Sequence, residues 1–305
     1  MTIPSAGGRG FVSDGGLETD LIYHYGLELP AFAAFPLVES TEGRAALDRY
    51  WGRVADIARG ADAGLLLEAP TWRANPDWGA QLGYDSAALD RLNRAAIDML
   101  AEIKTERCGD VADVAVVGVV GPRGDGYVAG DRPEVSEAAD YHRAQVGSFA
   151  DAGADLAAAY TMTGPEEALG IATAANELGL PVAIYFTVET DGRLPDGTSL
   201  ASAIARVDAA ADVVYFGINC AHPTHITPAL TGEPWTRRVG AVLPNASTKS
   251  HAELDAMEEL DEGDPVQLAT EVAELRRRLP SVAVVGGCCG TDPRHVAAMW
   301  GVPTS

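Results

Sequence analysis

Eight short apolar runs, separated by longer stretches with helical spacing, limit the possible folds of this chain more than any other feature. The runs are Gly10–Ser13, Gly64–Glu68, Val114–Val120, Asp155–Tyr160, Pro181–Thr187, Val213–Ile218, Val239–Leu243 and Val282–Val285. Most are nearly continuous rather than alternating, the pattern of strands buried on both faces. Between them, Thr41–Ala61 places Leu47, Trp51, Val54 and Ile57 at spacings of three to four, and Ser86–Arg107, opening on a Ser cap, does the same with Leu89, Leu92, Ile97, Leu100 and Ile103. Ser136–Ala152, Pro165–Leu178, Ser199–Ala210 and Val266–Leu279 follow suit, with Pro165 suited to a first helical turn. A weaker helix is expected within Thr224–Leu230, and a last one from near Pro293. Eight β/α units in 305 residues predict an α/β fold of the (β/α)8 TIM-barrel class, one domain over residues 1–305 with a core from about 10 to 300. A doubly wound sheet is the alternative. No G-x-G-x-x-G follows the first run, and Gly118–Gly121–Gly124 has the wrong spacing, which removes a dinucleotide site.

In a barrel, chemistry sits at the C-terminal strand ends. The first run ends in Asp14–Gly15–Gly16–Leu17–Glu18–Thr19, the second in Glu68, the fourth at Tyr160–Thr161 and the sixth at Asn219–Cys220. The third run leads to Gly121–Asp125, the fifth to Glu189 and Asp191, and the seventh to Asn245. Asp caps helices and Gly makes turns, which suffices for Gly121, Asp125 and Asp191. Asp14 and Glu68 are read as functional, because a charge closing an apolar strand is costly without a partner. Trp72 and Tyr127 either line the mouth or pack.

The cysteines are the sharpest signal. Cys288 and Cys289 lie between glycines after the eighth run, and Cys220 follows the sixth. Neighbours on a strand face opposite ways, so both members of the pair can reach one ion only if the backbone leaves strand geometry, which the glycines permit. Alternate strand ends are about 10 Å apart, and side chains leaning inward can meet at Zn–S distances of about 2.3 Å. Three thiolates suit Zn2+, and three protein ligands with an open fourth position mark a catalytic ion. Other readings stay open: a Cys288–Cys289 redox disulfide, small buried core residues, or a structural zinc closed by His222 or His225. Cys108, in a polar helical stretch, has no expected role.

The formal net charge of −22 argues against nucleic acid or an anionic membrane as partner. No run of about 18 apolar residues predicts a spanning helix, and Met1–Gly10 lacks the pattern of a signal peptide. Four cysteines, three placed like ligands, fit a reducing cytoplasm. Acidic Glu258–Asp264 reads as a surface loop. Self-association is left open.

The Asp14–Thr19 segment, Thr71–Trp72–Arg73–Ala74–Asn75, Gly217–Ile218–Asn219–Cys220, Pro244–Asn245 and Gly286–Gly287–Cys288–Cys289–Gly290 together resemble the homocysteine S-methyltransferase family, from about Gly10 to Met299. The resemblance implies a barrel with zinc on Cys220, Cys288 and Cys289, and a substrate thiol in the fourth position. It implies that Asp14 with the Gly15 and Gly16 amides holds the amino-acid end of that substrate, and that Glu68 and Asn219 line the pocket. In betaine-dependent relatives the fourth strand ends in a Glu that binds the substrate ammonium. Here Tyr160 stands in its place, which implies weaker selection for that ammonium, with the phenol bonding substrate or resting on the metal. The expected partners are a small-molecule thiol and a methyl donor. The barrel uses nearly all of the chain, so the expected donor is a small onium compound, S-methylmethionine or S-adenosylmethionine ahead of a betaine.

Overall fold

Each apolar run contributes a strand. β1 (Phe11–Val12), β2 (Gly64–Glu68), β3 (Val114–Val120), β4 (Leu156–Met162), β5 (Val182–Phe186), β6 (Phe216–Asn219), β7 (Val239–Leu243) and β8 (Val284–Val285) form a closed barrel in chain order. Every pairing is parallel, and β8 closes onto β1. This computed structural model describes residues 3–232 and 234–303; the two residues at each end of the expected 1–305 domain, and Glu233, lie outside.

Around the barrel run α1 (Leu17–Tyr23), α2 (Thr41–Gly60), α3 (Pro76–Gln81), α4 (Ser86–Arg107), α5 (Val135–Asp151), α6 (Pro165–Glu177), α7 (Leu200–Asp208), α8 (Pro223–Ile226), α9 (His251–Asp255), α10 (Pro265–Arg278) and α11 (Pro293–Trp300). The long helices follow the expected spans closely, since their apolar stripes (Leu47, Trp51 and Val54 on α2; Leu92, Ile97 and Leu100 on α4) are buried against the sheet. The short α1, α3 and α9 were not foreseen, because one or two turns carry too few residues to show a period. The cap of α4 is not Ser86: Asp85, in extended backbone, accepts from the Ala88 amide at 2.8 Å. No helix of the described residues is long and apolar enough to cross a membrane.

The continuous apolar runs resolve into two cores by parity. Leu65 and Leu67 face the helices with Val116, Ala157 and Ala159. Leu66, Ala115, Val117, Leu156, Ala158, Ala183 and Ala241 face the barrel interior. Several of these are alanines, and the space they leave takes the rings of Tyr185 and Tyr215, whose hydroxyls lie 3.0 Å apart, with Tyr160 edge-on above.

Two strand ends depart from the expected spans in ways that shape the site. β4 runs two residues past Tyr160, its register breaks between Ala159 and Met162, and Thr161 has φ of 61°. β1 and β8 stop at Val12 and Val285, where the chain turns into the loops bearing Asp14 and the cysteines.

Candidate active site

The turn that brings Cys220 inward is made by Cys220 itself, at φ of 52°. A left-handed non-glycine residue persists only where its surroundings hold it. Here three donors converge on the Cys220 carbonyl: His251 Nε2 at 2.6 Å, Asn245 Nδ2 at 3.1 Å and Thr187 Oγ1 at 3.3 Å. The Pro244–Asn245 motif thus acts through Cys220, and the neighbouring Pro244 carbonyl takes the Cys288 amide at 2.8 Å. Thr161, also left-handed, is clamped by Asn219, whose Oδ1 accepts from its amide and whose Nδ2 donates to its hydroxyl, both at 2.9 Å.

The three sulfurs lie within 4.8 Å of one another. Cys220 and Cys288 are joined as a disulfide and Cys289 is a free thiol, so the Cys288–Cys289 bond weighed from the sequence is not the one formed. His222 and His225 are turned away: His222 meets Thr224 and Glu271, and His225 meets the Thr248 carbonyl. Among the described residues no histidine joins the sulfur group, which removes the His-closed structural site. Three soft donors converging at a strand-end cavity fit zinc once the disulfide is reduced. Burial pushes the Cys289 thiol up to about 11, so it ionises at neutral pH only beside a cation. Cys108 is buried at the end of α4, away from the group.

The phenol at the sulfurs is Tyr127 rather than Tyr160. Its hydroxyl lies 3.4 Å from Cys289 Sγ and 3.6 Å from Cys220 Sγ, and its ring stacks on His251 at 4.3 Å. The one available signal was an aromatic residue in the glycine-rich loop after β3. Tyr160 instead donates to Glu68.

Asp14 and Glu68 lie together inside the barrel mouth, each acting on the other's carboxyl. Ser13 Oγ reaches both Glu68 oxygens at 3.0 Å, and Tyr50 donates to Asp14 Oδ2 at 3.3 Å. Burial, then the charge of Glu68, holds Asp14 well above the usual carboxylate range; burial also raises Glu68, against the hydrogen bonds it accepts. Two carboxyls sharing one buried site disfavour ionising together.

Gly15 and Gly16 line the same cavity, but their amides are engaged within the protein. Gly15 N donates to Tyr50 Oη at 3.1 Å, and Gly16 N to the Thr291 carbonyl at 3.0 Å. Their glycine requirement is steric: a Cβ on Gly16 would sit 2.5 Å from the Cys288 carbonyl oxygen. The Asp–Gly–Gly turn lets the cysteine loop pack onto β1. Similarly, the Asn219 amide groups that were expected at a ligand hold Thr161, although the residue does line the cavity.

Two cavities meet at Cys289. The inner one, about 70 Å3, lies among Asp14, Glu68, Tyr160 and the three cysteines. The outer one, about 290 Å3, opens past Tyr127, Trp72 and Phe32 toward the 251–261 segment. Part of the acidic Glu258–Asp264 loop thus walls the mouth: Glu259, Leu260 and Asp261 line the outer cavity. Glu189 is not free for a ligand; it pairs with His251 at 2.9 Å.

Comparison with known proteins places these features in a group. The homocysteine S-methyltransferase family model matches residues 11–301. A selenocysteine Se-methyltransferase of Brassica oleracea var. italica is 26% identical, over 94% of this chain and 87% of its own. The homocysteine S-methyltransferase of Escherichia coli K12 is 27% identical, over 75% of this chain and 76% of its own. The metallated form of Escherichia coli homocysteine methyltransferase MmuM superposes with a TM-score of 0.72 at 23% identity, over 97% and 96% of the two chains, and shares the fold.

Proposed function

The chain belongs to the homocysteine S-methyltransferase family, and we propose that it uses zinc on Cys220, Cys288 and Cys289 to move a methyl group from a small onium donor to a thiol, homocysteine giving methionine. The observation that carries this reading is the meeting of three sulfurs with a buried carboxyl pair in one strand-end cavity. The names of the relatives, a homocysteine S-methyltransferase and a selenocysteine Se-methyltransferase, support an amino-acid thiol or selenol as acceptor, and the metallated state of the structural neighbour supports a metal.

When bound, zinc supplies the positive charge that lets a substrate thiol ionise at neutral pH. The protein's own residues do the rest. Asp14 and Glu68 offer negative charge to the acceptor ammonium in the same cavity that holds the cysteines. The Tyr127 phenol, kept neutral by burial, offers a proton to sulfur. Asn245, His251 and Thr187 hold Cys220 turned inward. Trp72, Phe32 and Tyr127 line the way into the outer cavity and present ring faces to an approaching onium cation. Bringing the two reactants into line from the two cavities removes much of the entropic barrier.

The test is to incubate reduced, zinc-loaded protein and homocysteine with S-methylmethionine, S-adenosylmethionine or a betaine, and separately with methyl-folate plus cobalamin. Methionine is expected with a sulfonium donor; turnover only with methyl-folate and cobalamin overturns the donor.

A second outcome concerns Tyr160. Tyr160→Glu sets a third carboxyl beside Glu68 and Asp14, and that repulsion is relieved by a ligand ammonium. The variant is expected to melt below the parent. It is also expected to shift preference toward homocysteine, over thiols lacking an amino group, by about tenfold, one well-placed charge contact. An unchanged preference ratio removes Tyr160 from acceptor selection.

A further inference from the structure

Arg73 is only 7% exposed, yet among the described residues no carboxylate forms an ion pair with it. Its Nη1 donates to the Gly124 carbonyl at 3.1 Å, and its Nε has no partner. The guanidinium is fixed between two indoles, with its carbon 4.1 Å from the Trp72 ring centroid and 3.7 Å from that of Trp78. The stacking sets its orientation but gives the buried charge no direct ion pair, an arrangement that is costly unless something pairs with it. Asp125 and Glu18 act on it at longer range without forming an ion pair, and Asp125 Oδ1 already accepts from the Tyr127 and Val128 amides at 2.7 and 3.0 Å.

Arg73 lines the outer cavity, the one that reaches Cys289. The remaining charged lining is mainly acidic: Asp125, Asp255 and Glu259, with Asp261 already paired to Lys249. A simple anion is repelled by that ring, and a simple cation leaves Arg73 unpaired. The match is a molecule with one carboxylate and an excess of positive charge. An onium α-amino acid has that pattern: a carboxylate, an ammonium and the onium centre, net +1. The cavity volume of about 290 Å3 is at the lower bound of small-molecule sites, about 300 Å3, and suits an amino-acid-sized ligand.

We propose that Arg73 is the carboxylate-binding residue for the methyl donor, so that the donor is an onium α-amino acid held in the outer cavity with its methyl group toward Cys289. This rests on the donor reading above and narrows it. A guanidinium fork grips a carboxylate through two hydrogen bonds, which an ammonium cannot copy.

The experiment uses full-length, reduced, zinc-loaded protein with two probes, S-methylmethionine and its carboxamide, which keeps the sulfonium and ammonium but lacks the carboxylate. Binding is followed by calorimetry, and methyl transfer to homocysteine is measured in parallel. The parent is expected to prefer the carboxylate by roughly tenfold to a hundredfold in Kd and KM, the range for charge-assisted hydrogen bonds, with similar kcat. Arg73→Gln is expected to bring that ratio close to one by weakening the carboxylate probe, leaving the carboxamide within about twofold, while Arg73→Lys retains part of the preference. Equal binding of the two probes by the parent, or no binding of either, overturns the proposal without any variant, and so stands even where Arg73→Gln fails to fold. A preference that survives in folded Arg73→Gln overturns it too, while leaving the methyltransferase reading intact. Arg73-dependent binding of the carboxylate probe with no methyl transfer from it or any other onium donor upholds the carboxylate site and overturns the donor reading.

Discussion

Serine at any one of Cys220, Cys288 or Cys289 is expected to leave the reduced protein unable to retain zinc through dialysis against a weak chelator, whereas the parent holds close to one ion per chain. Each thiolate supplies a share of a binding energy that reaches about 10–16 kcal/mol in small zinc sites. Losing one donor is expected to cost on the order of 3–5 kcal/mol, roughly a hundredfold to a few thousandfold in affinity. Methyl transfer is expected to fall with the metal. The Cys220–Cys288 bond adds a second arm: the oxidised parent, with two of three donors tied to each other, is expected to take up no zinc until a thiol reductant is added. Metal analysis and a free-thiol titration read both arms. Full zinc content in all three variants would remove the site assignment.

Glu68→Gln is expected to move stability and binding in opposite directions. Both carboxyls of the Asp14–Glu68 pair have folded-state pKa values above their unfolded ones. Folding therefore favours their protonated forms, and the pair's contribution to stability is fully present below about pH 4 and is lost as the pH rises through the folded-state values. Glutamine keeps the shape, and the Ser13 and Tyr160 hydroxyls can reorient to serve it. The variant is expected to be more stable than the parent at pH 8 by about 1–3 kcal/mol, with the gap shrinking toward pH 4. Its affinity for homocysteine is expected to drop by about 2–4 kcal/mol, roughly thirtyfold to a thousandfold, because the ammonium loses its buried counter-charge. Thermal melts at the two pH values and calorimetric titration with homocysteine check both halves. A variant that binds homocysteine as well as the parent would place the ammonium elsewhere.

Barrel class, the positions of the long helices and the three cysteines as one group were legible in the sequence, and for a common reason. Strand burial on both faces and helix burial on one are periodic properties, so Val114–Val120 and the Leu47–Trp51–Val54 stripe declare themselves along the chain. Cys220 and the Cys288–Cys289 pair become neighbours as soon as strands six and eight are assigned to one barrel rim. Asp14 and Glu68 were legible as charges closing apolar strands, where an unpartnered carboxylate is costly.

What the chain did not declare depends on contacts between residues far apart in it. Nothing local to Cys220 signals a left-handed backbone; that conformation is held by Thr187, Asn245 and His251 from three other segments. Nothing local to Gly16 shows that the Cys288 carbonyl will occupy the space a Cβ would need. Tyr160 and Tyr127 are both phenols in loops or strand ends, and only the closed barrel sends the first to Glu68 and the second to the sulfurs. Nothing local to Arg73 shows that its guanidinium will lie against the indoles of Trp72 and Trp78. Periodicity follows from which face of an element is buried, and a sequence carries that directly. Partner choice at a strand end follows from the packing of eight loops over one another, which only the assembled tertiary structure decides.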